Sequence, residues 1–124
     1  MMKKMIALIL ALVLMIRLMP AVSASETIAS GTCGENLTWK LDDDGVLTIS
    51  GTGDMHYYWS YDVCPWEEWS SEITKVVVEE GITGIGNNAF MGCANLTKVT
   101  IPQSVTRIGM NVFHSCAGLQ NISL

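Results

Sequence analysis

The sequence predicts an α/β solenoid of 23-residue units, parallel strands joined by short helical turns, preceded by a small β-hairpin cap module. Three observations predict it. VVVEEGITGIGNNAFMGCANLTK (76–98) runs without a gap into VTIPQSVTRIGMNVFHSCAGLQN (99–121), and ISL (122–124) begins a third copy. Nine of the 23 positions are identical between the copies: Val76/Val99, Thr83/Thr106, Ile85/Ile108, Gly86/Gly109, Asn88/Asn111, Phe90/Phe113, Cys93/Cys116, Ala94/Ala117 and Leu96/Leu119. Upstream, apolar and polar residues alternate on either side of an Asp-Gly turn. A fixed period in the twenties marks an array in which each unit buries its apolar face only against its neighbours.

Residues 1–24 read as a secretory signal peptide. Lys3 and Lys4 supply the positive end, and Met5 to Ile16 are an apolar run of 12 residues. Pro20 and Val22-Ser23-Ala24 supply a helix break and a small-residue cleavage site. The run is short for a bilayer span, and Arg17 closes it. The expected product is secreted or held at the cell surface, with no membrane insertion after cleavage. Cleavage removes three of the seven basic residues, while all twelve acids lie between Glu26 and Glu80. Four bases against twelve acids leave the mature chain at −8, which disfavours nucleic acid and anionic membrane as partners.

The cap module is expected over 25–72. Leu37, Trp39 and Leu41 alternate with Thr38 and Lys40, and Val46, Leu47 and Ile49 form the returning strand. Asp42-Asp43-Asp44-Gly45 is the turn, with glycine where a positive φ is wanted. These acids lack the alternating spacing and distal Glu of a calcium loop, so a solvated turn is expected and no metal.

The stretch HYYWSYDVCPWEEW (56–69) holds three of the four tryptophans and all three tyrosines. It has two readings. A repeat array exposes the end of its core, and a terminal element must cover it, with Trp66 after Pro65 as the natural lid. Exposed Tyr57, Tyr58, Trp59 and Tyr61 also suit a stacking surface for sugar rings or a protein partner.

The repeats are expected over 73–124. Leu96, Val99 and Ile101 point to one side of an extended segment, Lys98 and Thr100 to the other. Pro102 ends that strand because it gives no ladder hydrogen bond. Val105 and Ile108 form a second extended piece closed by Gly109. Asn111 to Cys116 suit one helical turn with Asn as its cap. The predicted repeat core is Ile85, Phe90, Cys93, Leu96, Val99, Ile101, Ile108, Phe113, Cys116 and Leu119. Cys93 and Cys116 share a repeat position and read as buried free thiols. Cys33 and Cys64 both lie in the cap module and can bridge in an exported chain, though connectivity is not deducible from sequence.

LTKVTIPQSVTRIGMNVFHSC (96–116) resembles the unit of the BspA-like leucine-rich repeat family, roughly L-x-x-V-x-I-P-x-x-V-x-x-I-G-x-x-A-F-x-x-C. SGTCGENLTW (30–39) and DGVLTISGTGDM (44–55) resemble the module that precedes such repeats in secreted bacterial proteins. Val112 stands where the family has Ala, and Glu79-Glu80 replace the Ile-Pro step. The resemblance implies a leucine-rich repeat fold and a secreted or cell-surface protein of adhesion and host or matrix contact, its partner a protein or a carbohydrate. No G-x-S-x-G, H-E-x-x-H, phosphate loop or close Cys/His ligand set occurs, so neither enzyme activity nor a cofactor is expected. The region from Gly81 on carries no acid, only Lys98 and Arg107. Such a neutral end predicts self-association, or completion by further repeats.

Overall fold

The computed structural model describes residues 24–57 and 63–124. The expected signal peptide therefore lies outside the described residues apart from Ala24, and so do Tyr58, Trp59 and Tyr61. In chain order the strands are β1 (Thr27–Gly34), β2 (Leu37–Asp42), β3 (Val46–Gly51), β4 (Gly53–Asp54), β5 (Lys75–Val78), β6 (Ile82–Ile85), β7 (Lys98–Thr100), β8 (Arg107–Ile108) and β9 (Asn121–Ser123). They form a six-stranded sheet, β1-β2-β3-β5-β7-β9, and a three-stranded sheet, β4-β6-β8.

The hairpin forms where the alternation places it. β1, β2 and β3 pair antiparallel, with Trp39 opposite Ile49 and Leu41 opposite Leu47. Gly45 takes φ 81°, a left-handed conformation that glycine adopts without a Cβ clash. β1 adds a strand that the residue pattern alone did not announce, since its Ser, Thr and Gly residues face mostly solvent.

From β3 onward the pairing is parallel. Val76 pairs with Val99 and Val99 with Ile122, each 23 residues on. β6 pairs with β8 at the same offset, Ile85 opposite Ile108. β3 and β4 pair with β5 and β6 as though they belonged to a preceding repeat, but Leu47 meets Val76 and Gly53 meets Ile82 29 residues on. After the aromatic stretch the offset is 23 again, the Thr97 N–H donating to the Thr74 carbonyl. The cap thus ends in a repeat-like unit with six surplus residues between Gly53 and Thr74. Most of the surplus precedes Trp66, whose ring stacks on Phe90 24 residues later.

The predicted helical turns are not helical. The only helical element among the described residues is a 3-10 turn at Glu67–Trp69. In the repeats, Asn88 and Asn111 take φ near 60°, and four residues on Gly92 and Ser115 are also left-handed. Such residues break a right-handed helix every four positions. Asn therefore recurs here because it tolerates this conformation, and not as a helix cap. The backbone bonds run between repeats instead: the N–H groups of Asn88, Phe90 and Gly92 donate to the carbonyls of Met110, Val112 and His114.

Between the two layers lies a continuous core. Its spine is aromatic: Trp39 meets Trp66 edge-on at 5.7 Å, Trp66 stacks on Phe90 at 5.9 Å, and Phe90 on Phe113 at 6.0 Å. Trp66 is fully buried, and its indole N–H donates to the Ala89 carbonyl at 2.7 Å, so the lid carries no unpaired donor. Ile85, Phe90, Cys93, Leu96, Val99 and Ile101 are buried, while Phe113, Cys116 and Leu119 are half-buried. Ile108 departs from the predicted core: it is 49% exposed. It lies on the outer strand of the three-stranded sheet, with no strand beyond it among the described residues, whereas its equivalent Ile85 is covered by β8.

Candidate functional site

The three-stranded sheet carries the most built-up surface feature. Asp54 on β4 and Arg107 on β8 stand on either side of β6 and meet across it in an ion pair. They can meet because the residue between them is Gly84. A Cβ on Gly84 would lie 2.6 Å from Asp54 Oδ1, closer than non-bonded atoms approach. Gly84 and Arg107 are register partners and hold the same position in successive repeats. The first repeat thus supplies a notch, and the second the cation that reaches over it.

The Asp54 carboxylate is held from both sides. Oδ1 accepts from the Thr83 hydroxyl at 2.6 Å, and Oδ2 from Arg107 Nη2. The Thr83 bond, then the Arg107 bond, hold this carboxyl below its usual range. In return Asp54 raises the Arg107 pKa. Beside the pair opens a groove of about 400 Å³, lined by Asp54, Met55, Tyr57, Gly84, Ile85, Thr106, Arg107, Ile108 and Gly109. A second hollow of about 390 Å³ shares Asp54, Met55 and Tyr57 with the first and includes Glu35, Asn36, Thr52 and His56. Tyr57 is about half exposed.

Of the four stacking residues expected from sequence, Tyr57 is therefore placed at a groove, and the other three are outside the described residues. Asp54, Gly84 and Arg107 were not singled out by sequence. The available signal was the Gly84/Arg107 mismatch at a shared repeat position, which by itself names no partner 53 residues away.

The cysteines make a different arrangement from the one export chemistry suggests. All four thiols are free, and Cys33 and Cys64 are not bridged. Cys33 lies fully buried near the end of β1, and burial pushes its pKa up to about 12. Cys93 is pushed up to about 12, first by burial and then by Cys116 and Cys64. Burial, with Glu67 nearby, pushes Cys64 to about 11. Cys116 is also raised by burial, and its Sγ lies 3.1 Å from the Phe90 carbonyl.

Asp42, Asp43 and Asp44 bring oxygens within 4.8 Å of one another. Each has a local role in the turn. Asp42 Oδ1 accepts from the N–H groups of Asp44 and Val46, Asp43 Oδ1 from the Glu26 N–H, and Asp44 Oδ2 from the Ser25 hydroxyl. Asp42 thus shapes the hairpin turn, while Asp43 and Asp44 tie it to the residues before β1.

Stacked strands at a constant 23-residue offset, with Leu, Ile, Val and Phe directed between two layers, define a leucine-rich repeat protein. Residues 68–124 match the family described as BspA type Leucine rich repeat region. These residues therefore carry the BspA-type leucine-rich repeat pattern. Among solved structures it is similar to a leucine-rich repeat protein from Eubacterium ventriosum, with 42% identity over 77% of this chain and a TM-score of 0.69. It also matches a leucine rich cell surface protein from Faecalibacterium prausnitzii, at 24% identity over 80% of this chain and a TM-score of 0.40. The chain spans about a quarter of the length of the first, 26%, and 30% of the second. Among curated proteins none matches. Among the described residues no helix is long and apolar enough to cross a membrane.

Proposed function

We propose that the chain is an exported, non-catalytic solenoid module that holds a protein or glycan partner of the cell surface against its three-stranded sheet. The observation that carries this reading is the Asp54–Arg107 pair spanning Gly84 beside Tyr57. It presents fixed polar groups and an exposed aromatic ring on a surface whose shape is set by strand pairing. Preorganised groups of this kind lose little conformational entropy on binding. Export is supported by the signal-peptide composition, and the absence of catalytic activity by the family.

The test is to immobilise residues 25–124 and probe them with extracellular-matrix proteins and a glycan array. The expected result is binding to at least one class, weakened about tenfold by Tyr57→Ala and by Arg107→Ala. No binding, or binding indifferent to both substitutions, overturns the reading.

A second reading is favoured by the exposure of Ile108, Met110 (65%), Ile122 and Leu124 (88%) on the outermost strands and the residues flanking them. In it the chain is a structural segment of a repeat stack, completed by further repeats or by a second copy, with no ligand of its own. Appended repeats that bury Ile108 while the matrix and glycan screens stay blank would favour that reading.

A further inference from the structure

We propose that the groove between Tyr57 and Arg107 is a carbohydrate subsite that takes an uncharged sugar. One face of the ring lies on Tyr57, and neighbouring hydroxyls bridge Asp54 and Arg107. The assignment rests on the interaction-module reading above and names its ligand.

The first reason is charge. Among the described residues, the groove lining holds one carboxylate and one guanidinium, already paired with each other. A phosphate, sulfate or acidic peptide would meet Asp54, and a basic segment would meet Arg107, so neither sign of charge is favoured. A neutral ligand that both donates and accepts is satisfied by the pair as it stands.

The second reason is unused bonding capacity. An ionised carboxylate has about four acceptor sites, and a guanidinium about five N–H donors. Among the described residues, Asp54 uses one bond on each oxygen, to Thr83 and Arg107, and Arg107 uses Nη2. Both side chains still face solvent, Arg107 at 62% and Asp54 at 36% exposure. A fixed acceptor and a fixed planar donor side by side match adjacent hydroxyls of a sugar ring, each of which donates once and accepts. Arg107 is suited to this because its fork presents donors in one plane.

The third reason is the wall and the size. Tyr57 offers an amphipathic ring, about half exposed, to the apolar C–H face of a sugar. About 400 Å³ lies at the lower end of the roughly 300–1,000 Å³ of small-molecule sites.

The experiment uses residues 25–124 and backbone-amide NMR. The probes are the methyl glycosides of glucose, galactose, mannose and N-acetylglucosamine, then cellotetraose, mannotetraose and chitotetraose. Sialyllactose and a purified matrix protein serve as contrasts. The expected result is that a neutral oligosaccharide shifts the amides of Met55, Tyr57 and Thr106 to Gly109. Affinity should fall about tenfold in Tyr57→Ala and Arg107→Ala, without recovery in Arg107→Lys. Mapping on the unaltered chain stands even if a variant folds poorly. If the matrix protein shifts these amides and no sugar does, the carbohydrate assignment falls and the interaction module stands. If sialyllactose binds more tightly than every neutral sugar, the uncharged class is wrong. If no probe shifts these amides, both readings fall.

Discussion

Replacing Phe90 with alanine is expected to remove the middle of the aromatic spine. Phe90 is fully buried, with Trp66 stacked on one face at 5.9 Å and Phe113 on the other at 6.0 Å. Truncating a buried Phe costs about 3–5 kcal/mol through lost transfer energy and the cavity left behind. Each ring pair adds about 0.5–1.5 kcal/mol beyond its buried area, so the upper half of that range is expected. A domain of this size is stable by only about 5–15 kcal/mol, so Phe90→Ala removes about a quarter or more of the whole. At about 4–8 °C per kcal/mol, the melting temperature should fall by more than about 16 °C. Phe113 occupies the same repeat position but is half-buried and stacks on Phe90 alone among the described rings. Phe113→Ala should therefore cost about half as much, roughly 2–2.5 kcal/mol. Urea unfolding followed by circular dichroism, with thermal melts on the same samples, measures both. A Phe113→Ala loss equal to or above that of Phe90→Ala, or a Phe90→Ala loss under ~1 kcal/mol, would show that the rings are not stacked in this order.

Gly84→Ala should push the Asp54 carboxylate off the notch and part it from Arg107. NMR titration should then find the Asp54 pKa moving back up towards the ordinary carboxylate range, as it should in Arg107→Ala; an unchanged titration in both contradicts the bridge. In the unaltered chain the folded carboxyl titrates below the unfolded one, so the contribution of the bridge is present above the usual carboxylate pKa and fades as pH falls through the lower folded value. The thiols act in the opposite sense. Cys33 and Cys93 rise from 9.0 to about 12, so the unfolded chain releases protons first and stability should fall as pH rises from about 9 towards 12. Native Cys33 and Cys93 should likewise resist alkylation near neutral pH; rapid labelling of both without denaturant would contradict their burial. Appending two consensus repeats to residues 25–124 should cover Ile108 and Ile122, raise the melting temperature and suppress concentration-dependent association in sedimentation, and a monodisperse sample that gains nothing would refute the exposure of these side chains. Intact mass of the exported product should begin at Ser25, and retention of residues 1–24 in a membrane fraction would refute cleavage.

What was legible in the sequence follows from periodicity. The 23-residue repeat places Phe90 on Phe113 and Val76 beside Val99 without coordinates, because like positions must stack. The alternation around Asp42–Gly45 likewise fixes the hairpin. The turn conformation was not legible: Asn and Ser are compatible with both a helix start and a left-handed turn, and only inter-repeat bonds such as that from Asn88 to Met110 decide between them. Ile108 was misplaced because identity to Ile85 implies a shared environment, while burial depends on which strand lies beyond. β1 was hidden by its solvent-facing Ser, Thr and Gly residues. The Asp54–Arg107 pair was hidden for a topological reason. It joins the cap to the second repeat across the first, and no local pattern links positions so far apart. The repeat-like nature of the cap emerges only from strand register, since its 29-residue offset is not a repeat of the sequence.

The groove exists as described only if cap and repeats form one cooperative stack, because Asp54 comes from the first and Gly84 and Arg107 from the second. Native-state hydrogen exchange tests this most directly. The relevant seam amides are Glu79, which donates to Ile49, and Gly53 and Met55, which donate to Gly81 and Gly84. The repeat amides for comparison are Thr97, Thr106 and Gly109, which donate to Thr74, Thr83 and Ile85. One stack predicts that both sets share a single opening free energy and denaturant dependence, close to those of global unfolding. Seam amides that exchange through a separate, lower-energy opening, with the repeat amides still protected, would contradict it.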